Sequence, residues 1–181
     1  MKQVSIIGVG LIGGSFALDL REHIPGVSIS GIDHNITHIN EALELGIIDK
    51  TANLDSVSTA DLVVLALPVN AAINVLLDVL ELISDQTIVI DMGSTKQAIC
   101  EAVAAHPKRA NFLATHPIAG TEFSGPSYAL KELFKNKTNI ICELDKTSTA
   151  LSSQVIALFE IMGMHIRHMT AVDHDLQLSY V

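Results

Sequence analysis

The sequence predicts an α/β fold: a doubly wound, mostly parallel sheet with an added strand-helix-strand half. Three observations carry that expectation. Short apolar runs rich in Val, Ile and Leu alternate with segments of helical period, the pattern of βαβ units. The runs are continuous rather than alternating, as in strands covered on both faces. A chain of 181 residues, 49% of them hydrophobic, also suffices for one sizeable core.

In chain order, the predicted strands of the first half are residues 4–7, 27–32, 62–67, 87–91 and 111–115. Between them, apolar positions spaced for one buried face predict helices at 12–21, 36–45, 71–82 and 96–105. Each forms a right-handed crossover. Beyond Thr115 the pattern turns irregular as far as Pro126, followed by an expected short helix over 127–134 and a strand over 138–142. A helix over 147–162, a strand over 164–168 and a helix opening at Thr170 complete the chain. That last helix reaches Val181 with no C-cap glycine or basic last turn. The expected organisation is therefore a domain over 1–169 and, over 170–181, the start of a further helical domain that is cut short.

Gly8-Val9-Gly10-Leu11-Ile12-Gly13 stands between the first strand and the first helix, the setting in which a glycine-rich turn binds a dinucleotide. Gly8 allows the tight turn, Gly10 lets the backbone approach a diphosphate, and Gly13 lets helix and strand pack closely. The free N–H groups of Leu11, Ile12 and Gly13 at the helix start receive the anion. Asp33 ends the second strand, where a carboxylate accepts from the adenosine ribose hydroxyls and repels a 2′-phosphate. The fold is thus a modified Rossmann domain and the expected cofactor is NAD, with His34 softening the discrimination against NADP when protonated.

Chemistry in such a sheet lies at the carboxyl ends of its strands. Leu67 and Pro68 line the nicotinamide side there, and Ser94 and His116 follow two further strands. A histidine so placed exchanges a proton with an alcohol, and a serine hydroxyl orients imidazole and substrate. Lys96 reads as a solvated lysine in a first helical turn, and His23, His38 and His106 as surface residues of helices or their ends. Asp173, His174 and Asp175 are consecutive on a helix, so they face different ways and cannot share a metal ion; Asp173 is expected to cap. No metal is expected. Cys100 and Cys142 lack a partner at metal or redox spacing and read as buried free thiols.

Thr115-His116-Pro117-Ile118-Ala119-Gly120-Thr121-Glu122, with Ser124-Gly125-Pro126, resembles the catalytic histidine motif of prephenate dehydrogenases. Gly10-Leu11-Ile12-Gly13-Gly14-Ser15, Gly93-Ser94-Thr95-Lys96 and Val172-Asp173-His174-Asp175 are similar to that family's other landmarks, in the same order. The resemblance implies oxidative decarboxylation of prephenate to 4-hydroxyphenylpyruvate with hydride transfer to NAD⁺, a step of tyrosine biosynthesis. It gives His116 the proton of the ring hydroxyl, and Ser94 a bridging place among hydroxyl, imidazole and nicotinamide. It also places Thr121 and Glu122 in the substrate pocket. A capped turn is the competing account of those two residues.

Prephenate carries two carboxylates, which require cations or many donors. The chain has three arginines, Arg21 in a helix, Arg109 in a surface loop and Arg167 in a late strand, none of them an evident clamp. In the family the clamp comes from a C-terminal helical domain that also forms a homodimer, so this chain is expected to bind NAD and turn substrate over slowly or not at all. The close alternative substrates are arogenate, or both compounds in a dual-specificity cyclohexadienyl enzyme. Other β-hydroxyacid-type dehydrogenases share the glycine turn and lack the His116 loop. A non-catalytic NAD-binding regulatory module is the alternative of a different class. With 20 acidic against 11 basic side chains and no basic run, the composition speaks against a nucleic-acid partner. No apolar stretch reaches membrane-spanning length and no signal-peptide pattern precedes the first strand, so a cytoplasmic location is expected.

Overall fold

The computed structural model describes residues 1–179. Its eight strands form one sheet: β1 (Gln3–Ile7), β2 (Ser28–Ile32), β3 (Lys50–Thr51), β4 (Leu62–Leu65), β5 (Ile88–Asp91), β6 (Phe112–Pro117), β7 (Thr138–Cys142) and β8 (His165–Met169). Their spatial order is β3-β2-β1-β4-β5-β6-β7-β8. The first six are parallel, β7 runs antiparallel to β6, and β8 is parallel to β7. The expected doubly wound sheet and its added strand-helix-strand half are both present.

The helices are α1 (Leu11–His23), α2 (Ile36–Glu44), α3 (Val69–Leu82), α4 (Gln97–Ala102), α5 (Thr149–Ile161) and α6 (Ala171–Leu178). Strand residues alternate between the two faces of the sheet. Val4, Ile6 and Ile29 pack with Phe16, Leu20, Ile39 and Phe159 beneath α1, α2 and α5. Ile7, Val63, Leu65 and Phe112 pack with Leu76, Val79, Ile99 and Ala171 beneath α3, α4 and α6. Burial on both faces explains why these strands read as continuous apolar runs. Phe16 meets Phe134 edge-on at 5.9 Å and Phe159 at 6.2 Å, joining α1 to the added half through aromatic contacts.

Register aligns the strand ends that matter for function. Ile7 pairs with Leu65, Leu65 with Asp91, and Asp91 with Ala114. The residues that follow, from Gly8, Ala66, Met92 and Thr115, therefore emerge along one edge of the sheet.

Four local expectations are corrected. Lys50–Thr51 adds an exposed two-residue strand to the sheet edge, too short for any periodicity to reveal. Residues 127–134 do not form a helix: a 3-10 turn at Pro126–Tyr128 gives way to turns in which Glu132 adopts φ 58°. There the Leu130 and Glu132 N–H groups donate to Ser15 Oγ and Asp19 Oδ1 on α1, at 2.9 and 2.7 Å, so side chains of another element replace the carbonyls a helix would supply. Helix α4 stops at Ala102, and Ala104 N–H turns back to Glu101 O. Thr170, not Asp173, is the N-cap of α6; its hydroxyl accepts from Asp173 N–H at 3.0 Å and donates to the Asp173 carboxylate at 2.7 Å, a reciprocal cap. Helix α6 ends at Leu178 with Ser179 as its C-cap; residues 180 and 181, included in the expected helix, lie outside the described residues. Among the described residues no helix is long and apolar enough to cross a membrane.

Candidate functional site

A cavity of about 530 Å³ opens beside the β1–α1 turn, lined by residues including Gly8, Gly10, Leu11, Ile12, Asp33, Leu67, Pro68 and Met92. Gly8 adopts φ +93° and donates its N–H to Ile32 O at 2.8 Å. A Cβ on Gly8 would lie 2.3 Å from Ala66 O, and one on Gly13 would lie 2.0 Å from Gly8 O. Both positions thus exclude a side chain by collision with backbone, whereas Gly10 meets nothing closer than 4.0 Å. The loop presents bare backbone to the cavity, and α1 begins there without a side-chain cap. Its first N–H groups are consequently free for an anion, which fits the diphosphate of a dinucleotide.

The Asp33 side chain is only 6% exposed. Its Oδ2 accepts from Val9 N–H at 3.0 Å and its Oδ1 from Asn35 N–H at 2.9 Å. These bonds tie the end of β2 to the glycine turn, and a carboxylate oxygen with one partner retains capacity for another. Asp33 lines the cavity and also holds the glycine turn.

His116, near the end of β6, borders two smaller clefts. Ser94, Thr95, Ile118, Asp175 and Leu178 share one with it, and Gly120, Thr121 and Lys137 share the other. His116 Nδ1 lies 2.9 Å from Nε2 of His174, and His174 Nδ1 lies 2.7 Å from Asp175 Oδ1. The order of donors follows from Asp175. An ionised carboxylate only accepts, so His174 donates from Nδ1, accepts at Nε2, and holds the proton of His116 on Nδ1. The Nε2 lone pair of His116 is thereby the one left for a substrate. Burial, the positive charge of Lys96 and the neighbouring His174 ring together push His116 down to about 4, so its imidazole is neutral at physiological pH and can serve as a base.

Asp175 is held in turn. Its Oδ1 accepts from Lys96 N–H at 2.7 Å and its Oδ2 from Gln97 N–H at 2.9 Å. Burial opposes ionisation of Asp175, but the hydrogen bonds from Gln97, His174 and Lys96 outweigh it and keep the carboxyl below its ordinary range. Lys96 is fully buried and paired with Asp91, which corrects the reading of a solvated lysine. Asp91 Oδ1 also accepts from Thr115 N–H at 3.1 Å, so this ion pair lies directly beneath the segment carrying His116.

Ser94 is exposed and lines the His116 cleft, but the imidazole's hydrogen-bond partner is His174. Thr121 borders both the dinucleotide cavity and the His116 cleft. Glu122 is exposed and lines neither; its neighbour's hydroxyl accepts from Phe123 N–H at 3.2 Å, the capped turn that competed with a binding role for the pair. Of the three supposed surface histidines, His38 is partly exposed where it lines the dinucleotide cavity, and His106 is not at the surface, being 11% exposed and bonded to Glu81 at 3.0 Å. Arg109 is half-buried, its Nη1 donating to Phe112 O at 2.8 Å. Cys100 and Cys142 are buried free thiols, as expected, and burial raises them to about 11 and about 12. Sequence reasoning names His174 and Asp175 only within a family landmark, without a role, and does not single out Lys137. His174 is 58 residues from His116, and no spacing pattern links residues that far apart.

Residues 16–168 match the family model described as the nucleotide-binding domain of prephenate dehydrogenase. The chain is 34% identical over 176 residues to a prephenate dehydrogenase of Bacillus subtilis, covering 95% of this chain and 47% of that protein. It is 30% identical over 180 residues to a cyclohexadienyl dehydrogenase of Zymomonas mobilis, covering 98% and 61%. The crystal structure of prephenate dehydrogenase from A. aeolicus, in complex with hydroxyphenyl propionate and NAD⁺, superposes with a TM-score of 0.90 at 33% identity, covering 97% of this chain and 62% of that one. The chain thus spans between about half and three-fifths of the length of these proteins.

Proposed function

The chain belongs to the prephenate dehydrogenase family, as its nucleotide-binding domain, and from that premise we propose that it binds NAD and forms the catalytic half of an enzyme that oxidatively decarboxylates prephenate. The observation that carries this reading is the Asp175–His174–His116 chain, which leaves one imidazole lone pair available on a residue that borders both the Ser94 cleft and the cleft adjoining the dinucleotide cavity at Thr121. Gly8, Gly10 and Gly13 with the start of α1 would hold the diphosphate, and Asp33 the adenosine ribose. Bound NAD⁺ supplies the hydride acceptor.

The residues of this chain account for the proton. As the ring alcohol is oxidised its O–H becomes acidic, and His116 Nε2 takes that proton. Positive charge then develops on His116, and His174 stabilises it by accepting from Nδ1 while Asp175 fixes the His174 tautomer. Ser94, across the same cleft, orients the hydroxyl from the other side. Thr121, at the junction of the two cavities, lies where cofactor and substrate meet.

Two substrate carboxylates also need partners. Lys137, in the cleft with His116 and Thr121, can meet one of them. The arginines are otherwise placed: Arg21 pairs with Asp49 at 2.8 Å, Arg109 bonds Phe112 O, and Arg167 is exposed on β8. A partner for the second carboxylate would come from a further helical domain, which α6, with Val172 and Leu176 54% and 56% exposed, would begin and which would pair two subunits. The cyclohexadienyl relative makes arogenate the competing substrate, distinguished by the side chain such a clamp would grip.

The test is NADH formation with prephenate and with arogenate, measured for the 181-residue chain and for a full-length form, beside calorimetric titration of NAD⁺. NAD⁺ binding by both forms is expected, with turnover by the full-length form alone. Equal turnover by the two would refute the missing clamp, and retention of full activity in a full-length His116→Asn variant would refute the base. Asp175→Asn is expected to lower kcat by about two orders of magnitude through the wrong imidazole tautomer, with NAD⁺ affinity preserved.

A further inference from the structure

The dinucleotide cavity contains two imidazoles that the function above does not use. His34 Nδ1 lies 3.4 Å from Asp33 Oδ1, and His38 Nδ1 lies 3.7 Å from Asp33 Oδ2. His34 stands at the rim, its side chain 95% exposed, while His38, from the first turn of α2, is 34% exposed. A Cβ built on Gly125 would come within 3.9 Å of His38 Nε2, so the ring reaches between Asp33 and the loop that forms the opposite wall. Both histidines line the cavity, and no lysine or arginine is among its described lining residues.

One carboxylate is thus flanked by two rings, each of which can donate at least one N–H. Asp33 itself is turned inward onto backbone N–H groups, and α2 begins just beyond, its N-terminal field favouring negative charge. Everything around Asp33 suits an anion; Asp33 alone opposes one.

We infer that His34 and His38 form a latent subsite for the 2′-phosphate of NADP⁺, kept closed by the charge of Asp33. The subsite rests on the NAD reading above, because it places the adenosine ribose against Asp33. The acid accepts from the ribose hydroxyls of NAD⁺ and repels a phosphate in the same place. Removal of its charge leaves two imidazole donors in position to receive that phosphate.

The experiment is calorimetric titration of NAD⁺ and NADP⁺ into the unaltered chain, Asp33→Asn, and Asp33→Asn combined with His34→Ala and His38→Ala. Asp33→Ser, alone and with the same two alanines, covers the case in which the asparagine disturbs the glycine turn. In at least one background, removal of the acid is expected to raise the NADP⁺ to NAD⁺ affinity ratio by about tenfold or more, the effect of removing an adjacent like charge. Loss of both histidines is then expected to reverse most of that gain. No gain on removing the acid, or a gain that persists undiminished without the histidines, overturns the subsite. Failure of the unaltered chain to bind NAD⁺ would instead sink the nucleotide reading, and the subsite with it.

Discussion

The two halves of the site stand on the same edge of the sheet and are built from different materials. The dinucleotide cavity is mostly backbone and apolar side chain: a glycine turn, an open helix end and a single carboxylate held by N–H groups. The His116 cleft is built mainly on side-chain chemistry, with two imidazoles, two carboxylates and a buried ammonium linking β5, β6, the start of α4 and α6, its carboxylates also anchored by backbone N–H groups. A backbone cradle tolerates changes in neighbouring side chains and fails when a Cβ fills it. A side-chain network keeps its shape under small steric changes and fails when one charge or tautomer is lost.

That contrast can be broken most directly at His116. In a full-length enzyme, His116→Asn is expected to lower kcat by about 10²- to 10⁴-fold, the usual contribution of a general base, with NAD⁺ affinity unchanged by calorimetry. A matching loss of NAD⁺ binding would show that the two halves are not separable. Next in size is Lys96→Met, which leaves Asp91 buried without its counter-charge. Thermal and urea unfolding should record a loss of about 3–5 kcal/mol, whereas a surface lysine would give almost none.

The pH profile sharpens the comparison without mutation. An unperturbed histidine is protonated below about 6.5, which at pH 5 costs a base about 30-fold in rate. With His116 lowered to about 4, the neutral base persists above that pH, and the acid limb of kcat/KM is expected near 4. A limb near 6.5 would contradict the burial and Lys96 charge that set it. On the cradle side, Gly13→Ala places a methyl against the Gly8 carbonyl oxygen. It should cost about 1–3 kcal/mol in unfolding experiments and weaken NAD⁺ binding, with kcat at saturating cofactor in the full-length form changed least. The smallest effect expected is that of Thr170→Ala, which removes the α6 cap and costs about 1 kcal/mol; a lower kcat with little change in Tm would show that the cap also sets the position of His174.

The sequence by itself determines the strand and helix alternation, the glycine turn with Asp33 behind it, and His116 at a strand end. Each depends on residues within one element or on its immediate flank, where period, φ and helix polarity are local properties of the chain. It does not reveal β3, whose two residues acquire meaning only from pairing with β2, or the turns at 127–134, whose backbone donors are satisfied by α1. Above all it reads Lys96 as a solvated lysine and gives His174 and Asp175 no role beyond their place in a family landmark. Tertiary structure decides their roles, because a buried ammonium or imidazole is identified by the partner that compensates its desolvation. Those partners arrive through sheet register and helix packing, from as far as 79 residues away.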